Sequence, residues 1–315
     1  MITRRSVRIK AMQYLYAYET SNHLPTSHFI SYLEKSILSV KEQYLYILLL
    51  LREVANFVES DAKIKASKYI KTDDDKNFNT KLLSNILVQF LNNDKEFESE
   101  IKKSNTKELI NEDLVRRLYK NFTISNEYKT YLSNGVEFNL EEDKKLISFL
   151  LEQIILEDEV FESYVEEYFT NWIDDAEFVV DAVQEVILKS KTELKLHLEK
   201  ESLQEKFKEL TQFGIDLFSK VVNEKQTIDG LFLPKIKNWE ADRLAIVDMV
   251  LIKMAIAEFL FFPSIPVKVS INEYLDIAKE YSTPKSKDFI NGILDSILQD
   301  LKQQNKLEKA GRGLI

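Results

Sequence analysis

The N-terminal residues of this chain carry a group of arginines whose spacing suits the binding of phosphate. Arg4, Arg5, Arg8 and Lys10 all precede the first acidic residue, Glu19. On an α-helix, where successive residues are about 100° apart, the three arginines share an arc of roughly 100° and Lys10 falls outside it. A planar guanidinium group offers a fork of donors that matches phosphate oxygens. The cluster predicts a phosphate-binding face, and a solvated helix surface without a ligand is the alternative.

The rest of the sequence offers little that could catalyse a reaction or hold a metal ion. There is no cysteine, and the three histidines are not spaced to share a helix face. No glycine-rich phosphate loop and no nucleophile motif occurs. Asp248 and Glu258 interrupt an apolar segment, but on a helix they point about 80° apart and no nucleophile accompanies them. Partner recognition or internal hydrogen bonding explains them better, so we predict a protein that is not an enzyme and has no metal or cofactor.

Composition points to an all-α fold. The chain has 315 residues, a hydrophobic fraction of 44%, and only 6 glycines and 5 prolines. This content supports a large helical core and argues against a fold with many β-turns. The net charge of −9 argues against a broadly positive surface that coats nucleic acid, and it is compatible with a local basic patch.

Nothing in the sequence predicts a membrane protein. The longest apolar runs are far shorter than the roughly 20 residues that a membrane-spanning helix needs. The basic N-terminus lacks the apolar segment of a signal peptide. We therefore expect a cytoplasmic location.

The residues from Asn238 to Asp295 contain the strongest helical signals. Apolar residues at three- and four-residue steps predict a helix of at least five turns that ends before Pro263 and Pro266. The sequence Ser270-Ile-Asn-Glu273 predicts a capping box at the start of the next helix. Gly292, inside the last predicted helix, costs about 1 kcal/mol relative to alanine, so we expect a neighbour to pack tightly over it.

Several motifs at the two ends of the chain resemble the family of the transcription antitermination factor NusB. The N-terminal motif is RRSVRIKAMQYLYAYE at residues 4–19. The C-terminal motifs comprise Trp239, Arg243, Leu244, Val247 and Asp248, then Pro266, Lys268, Val269, Ile271, Asn272 and Glu273, then Ala278 and Lys279, and finally Lys287 with residues 289–295. The motifs agree with the family pattern in order and spacing, over roughly the first 22 and the last 105 residues.

The resemblance implies an RNA-binding adaptor in transcription antitermination. Such a protein would bind boxA-like single-stranded RNA from ribosomal RNA leaders, together with the ribosomal protein NusE, in the transcription elongation complex. Single-stranded RNA is held by cations on its phosphates and by planar groups beneath its bases. The implied RNA-binding residues are Arg4, Arg5, Arg8, Lys253, Tyr281, Lys285, Lys287 and Phe289, and the implied partner-binding residues are Asp242 and Asp248.

Two of these assignments have specific alternatives. Tyr281 and Phe289 could equally be core residues. Lys285 stands where some family members have an acidic residue, which should strengthen the attraction for phosphate but leaves its contact with a base open.

The resemblance also predicts the domain organisation. Residues 1–24 and 206–315 are expected to form NusB-like helical bundles, and residues 25–205 an inserted helical subdomain of unknown role. Within the insertion, the polar stretch 123–139 is predicted to be a loop. A protein-interaction scaffold that acts through the insertion, with little or no RNA binding, is the alternative function.

Overall fold

A computed structural model describes residues 3–21, 24–70, 72, 78–134, 139–189, 201–236, 245–307 and 309. Within these ranges the secondary structure is helical and contains no strand, which confirms the predicted all-α class. The α-helices are α1 (Arg4–Thr20), α2 (Thr26–Ser67), α3 (Ile86–Asn93), α4 (Lys95–Ser104), α5 (Glu112–Ile124), α6 (Asn126–Ser133), α7 (Leu140–Phe149), α8 (Glu159–Tyr168), α9 (Trp172–Lys189), α10 (Glu201–Asn223), α11 (Lys225–Phe232), α12 (Ile246–Phe261), α13 (Val267–Tyr281) and α14 (Ser286–Gln303). Short 3₁₀ turns and one π-helical turn, Leu150–Ile155, complete them.

Backbone contacts divide the chain into two compact units. One unit comprises residues 39–205, and the other comprises residues 3–38 and 206–315. We call the first the central unit and the second the terminal unit. The predicted division into residues 1–24 with 206–315, and 25–205, stays a prediction.

Helix α12 is the centre of the terminal unit. It packs against α1, α11, α13 and α14. Its apolar residues from Val250 to Phe259 are buried on all sides, as expected for a helix in the middle of a bundle. The backbone of Ala245 is extended, and α12 begins at Ile246 and has 16 residues. The first part of the helix predicted from Asn238 lies outside the described residues. Asp248 and Glu258 are the only charged residues buried in this helix.

The close approach between helices occurs at Gly214 rather than at Gly292. A Cβ atom on Gly214, in α10, would lie 2.8 Å from Cγ1 of Val7 and 2.9 Å from Cδ1 of Ile37. Gly292 has no described atom within 4 Å of such a Cβ, so the prediction of tight packing there was wrong. A glycine lowers the helix propensity of its segment, but only the tertiary packing decides whether a neighbouring side chain approaches it closely.

The central unit contains α3 to α9 and most of α2. Helix α7 packs against α3, α6 and α9, and α8 packs on α9 through an edge-to-face contact between Phe161 and Trp172. The predicted loop at 123–139 contains α6, so that prediction was wrong for residues 126–133. Ser125 caps α6, and Tyr128 and Tyr131 anchor it in the core.

None of the described helices, including the 42-residue α2, has a segment long and apolar enough to cross a membrane.

Candidate functional site

The N-terminus of α1 presents Arg4 to solvent. Thr3 and Ser6 form a reciprocal capping box, in which the side chain of each accepts a hydrogen bond from the backbone amide of the other. The cap fixes where the helix starts and so where the next side chains point. Arg4 is exposed, with its guanidinium carbon 5.6 Å from the centroid of the Phe213 ring. In the described parts of the chain, no carboxylate lies within ion-pair distance of Arg4.

Arg8, four residues later, is buried in an ion pair with Glu258. The Arg8 side chain donates from Nε to Oε1 at 2.7 Å and from Nη2 to Oε2 at 3.1 Å, and the two residues are 2% and 0% exposed. Ser270 and Tyr274 also donate to this carboxylate, each at 2.6 Å. Burial disfavours the charged guanidinium and is the largest single effect, but the hydrogen bond to Glu258, together with electrostatic interactions with Tyr274, Glu258 and Glu273, outweighs it and raises the pKa of Arg8. Arg8 therefore joins α1 to α12 and α13, and its role as an RNA-binding residue stays a prediction.

The same cluster overturns the predicted capping box at Ser270. Helix α13 begins at Val267, after Pro266, and makes no side-chain cap. The Ser270 hydroxyl lies one turn inside the helix and donates to the buried Glu258 instead. The serine of the S-x-x-E pattern therefore serves a tertiary hydrogen bond to Glu258 and not a helix cap.

Arg5 lies between these two environments and contacts acidic residues of α13. Its Nη2 lies 2.6 Å from Oε1 of Glu280, and its Nη1 lies 3.9 Å from Oδ2 of Asp276. The side chains of Arg5, Glu280 and Asp276 are 29%, 52% and 44% exposed. Solvent can reach this pair, so Arg5 remains accessible to an anion that replaces the carboxylates.

The carboxylate of Asp276 interacts with three accessible cations, Arg5, Lys279 and Lys287. It accepts a hydrogen bond from Lys279, and this bond and the charge of Lys279 lower its pKa, with further contributions from the charges of Arg5 and Lys287. These three cations come from α13, α1 and α14. The tertiary structure therefore places Arg5 and Lys287, two residues predicted to bind RNA from opposite ends of the chain, where the charge of each acts on the same carboxylate.

The turn between α13 and α14 is held by Asp248. Its carboxylate accepts from the hydroxyl of Ser282 at 2.5 Å and from that of Ser286 at 2.7 Å. The Ser286 hydroxyl also accepts from the amide of Thr283 at 3.2 Å. Asp248 is 5% exposed, so the structure gives it the internal hydrogen-bonding role that was one of its two interpretations. Its role as a partner-binding residue stays a prediction.

The other predicted RNA-binding residues divide by exposure. Lys285 and Lys287 are exposed at the turn, and Tyr281 and Phe289 are half-buried beside it. Lys253, on α12, forms an ion pair of 2.7 Å with Glu19 and has a side chain that is only 13% exposed. Asp242, the second predicted partner-binding residue, lies outside the described residues.

Sequence reasoning missed Lys279, Asp276 and Glu280 as members of this surface. Lys279 belongs to one of the recognised motifs, and Asp276 and Glu280 lie four residues apart on one face of α13. Their charges were visible in the sequence, but their proximity to Arg5 was not. Lys309 was missed as well: its Nζ donates to the carbonyls of Glu258 and Phe262, at the C-terminal end of α12.

Charge is distributed unequally between the two units. Residues 3–38 and 206–315 contain 21 basic and 17 acidic residues, a net charge of +4. Residues 39–205 contain 22 basic and 35 acidic residues, a net charge of −13. The overall acidity of the chain thus comes from the central unit alone. The described residues contain no group of three acidic or histidine side chains that could hold a metal ion.

Comparison with known proteins finds similarity in the C-terminal part of the chain. The sequence model of the NusB family matches residues 169–299. The match starts between α8 and α9, earlier than the motifs predicted, and does not include α1. The chain is 45% identical to the transcription antitermination protein NusB of Chloroherpeton thalassium over 103 residues, which are 33% of this chain and 49% of that protein.

Two further relatives carry the same name. Over 103 residues, 33% of this chain and 64% of the relative, identity to the NusB of Salinibacter ruber is 44%. Over 102 residues, 32% of this chain and 71% of the relative, identity to that of Desulfatibacillum aliphaticivorans is 45%. The chain thus spans about half to two thirds of the length of the first two relatives. No solved structure matches the chain.

Proposed function

Since the chain belongs to the NusB family, we propose that it is a transcription antitermination factor that binds boxA-like single-stranded RNA through its terminal unit. In this proposal it acts with the ribosomal protein NusE in the transcription elongation complex, in the cytoplasm, and catalyses no reaction.

The gathering of cations around Asp276 carries the proposal. Arg5 and Lys279 lie within ion-pair distance of its carboxylate, and Lys287, from a third helix, is near enough for its charge to lower the pKa of Asp276. Lys285 is exposed on the turn next to Lys287. A row of cations from different helices can follow the phosphates of an extended strand, because successive phosphates lie several ångströms apart. The net charge of +4 on this unit favours the approach of RNA to it, and the central unit, at −13, disfavours RNA.

Not every predicted RNA-binding residue contributes in the same way to this proposal. Arg4 and Arg5 supply the phosphate contacts of α1, and Arg8 holds α1 in place from the core. Tyr281 and Phe289 flank the turn and are half-buried, and an aromatic ring face that is open to solvent can support an unstacked base. Lys253 would have to leave Glu19 to meet a phosphate.

The dependence of RNA affinity on salt tests the phosphate contacts. Each phosphate that is neutralised on a single strand contributes a slope of roughly −0.7 to the log–log plot of affinity against salt. Replacing Arg4, Arg5 and Lys287 together by alanine should flatten the slope by about 2, by the same rule. Exposed charges contribute little to folding, so the melting temperature should change little. Fluorescence anisotropy with a labelled boxA-like RNA at several salt concentrations gives the slope.

Two control variants make this test specific. Lys302→Ala removes an exposed cation from the C-terminal end of α14 and should leave the slope unchanged. Tyr281→Ala should weaken binding through lost stacking while the slope stays the same. If the triple variant keeps the slope of the unaltered protein, the RNA face lies elsewhere and the scaffold function becomes the better proposal.

A further inference from the structure

We infer that Glu280 and Asp276 limit the RNA affinity of this surface, because they hold Arg5 in an ion pair that a phosphate strand must displace. The inference rests on the proposed RNA-binding function and adds two acidic residues that determine affinity.

The acidic residues of α13 form one row opposite α1. Glu273, Asp276 and Glu280 are spaced by three and four residues, so they share a face of the helix. Glu273 lies 3.4 Å from Nη1 of Arg8, and Glu280 lies 2.6 Å from Nη2 of Arg5. Two arginines of the predicted phosphate-binding arc thus meet carboxylates of α13.

Only the outer part of this row can exchange its partner for a ligand. Glu273 faces Arg8, whose side chain is 3% exposed and fixed by Glu258. Glu280 and Asp276 are about half exposed and bind the accessible Arg5. An exposed ion pair contributes little free energy, so a phosphate can compete for the same guanidinium group.

Such competition favours ligands with several phosphates. A single phosphate that reaches Arg5 gains one contact and meets two nearby carboxylates. A strand that also contacts Arg4, Lys285 and Lys287 gains further contacts that offset the repulsion. The acidic row therefore selects an extended phosphate backbone over a mononucleotide.

The test is a gain of affinity, which misfolding does not produce. Glu280→Gln should bind a boxA-like RNA about two- to five-fold more tightly, the factor that corresponds to an exposed ion pair. Asp295→Asn removes the same charge from the exposed face of α14 and serves as the matched control, with little expected change. The gain from Glu280→Gln should shrink as salt is raised, because exposed charges are screened.

A double-mutant cycle distinguishes a specific effect on Arg5 from general electrostatics. In an Arg5→Ala background, Glu280→Gln should no longer increase affinity beyond the change seen with Asp295→Asn. An equal gain with and without Arg5, or no gain at all in a protein that binds RNA, would overturn the inference and leave the proposed function intact. If neither the unaltered protein nor any variant binds RNA, the inference and the proposed function are both overturned.

Discussion

Replacing Arg8 by alanine should destabilise the protein, whereas the same change at Arg4 should not. The two residues lie on the same arc of α1, yet one side chain is exposed and the other is 2% exposed and bound to Glu258. Arg8→Ala leaves the carboxylate of Glu258 buried without a cation, and breaking a buried ion pair in this way costs about 3–5 kcal/mol. An exposed side chain without a charged partner contributes within about 0.5 kcal/mol.

Thermal and urea unfolding, followed by circular dichroism, measure this difference. For a unit of this size, about 1 kcal/mol shifts the melting temperature by roughly 2–4 °C, so Arg8→Ala should melt about 6–20 °C lower. Glu258→Gln keeps the shape of the side chain and should also be destabilising, because it leaves the guanidinium of Arg8 buried without an anion. Combined with Arg8→Met, it should cost less than the sum of the two single changes.

The reasoning would be refuted if Arg8→Ala were as stable as Arg4→Ala. It would also be refuted by strictly additive effects at Arg8 and Glu258, since a direct pair must show coupling.

Three further predictions concern packing, the α13–α14 turn and the extent of the terminal unit. Gly214→Ala should cost about 1–3 kcal/mol of stability, because the new methyl group meets the stiff side chain of Val7. Gly230→Ala should gain up to about 1 kcal/mol, because nothing lies within 4 Å of the new methyl group. Urea unfolding compares the stabilities of the two variants. Asp248→Ala should lower stability by about 1–3 kcal/mol, because it removes the buried carboxylate that accepts from the hydroxyls of Ser282 and Ser286. Measuring NusE affinity alongside separates this role from partner binding, since unchanged affinity would remove Asp248 from the partner surface. A chain that joins residues 1–38 to 206–315 should melt cooperatively, and at a higher temperature than one that joins 1–24 to 206–315, because Phe29 stacks on Phe218. Equal melting temperatures would contradict a role for the start of α2 in this unit.

The sequence alone determined the fold class and the family. The sparse glycine and proline content and the three- and four-residue periodicity required helices, and both are local properties of the chain. Spaced motifs at the C-terminal end identified the family because their order along the chain is itself a strong constraint. The sequence also placed the arginines of α1 on one arc, since helix geometry fixes the angle between residues.

Overall composition obscured the charge of the candidate site. The net charge of −9 describes neither unit, because the terminal unit is at +4 and the central unit at −13. The residues were all visible in the sequence, but their division into two compact units requires contacts between distant segments.

Only the tertiary structure decided what each residue on that arc contacts. Periodicity gives the direction of a side chain from its own helix but not the neighbour that covers it. Arg8 became a core residue because Glu258, which is 250 residues away in sequence, faces it in the fold, and Arg5 met Glu280 for the same reason. Gly214 and Ser270 were likewise assigned by long-range packing and hydrogen bonding, which no local pattern contains.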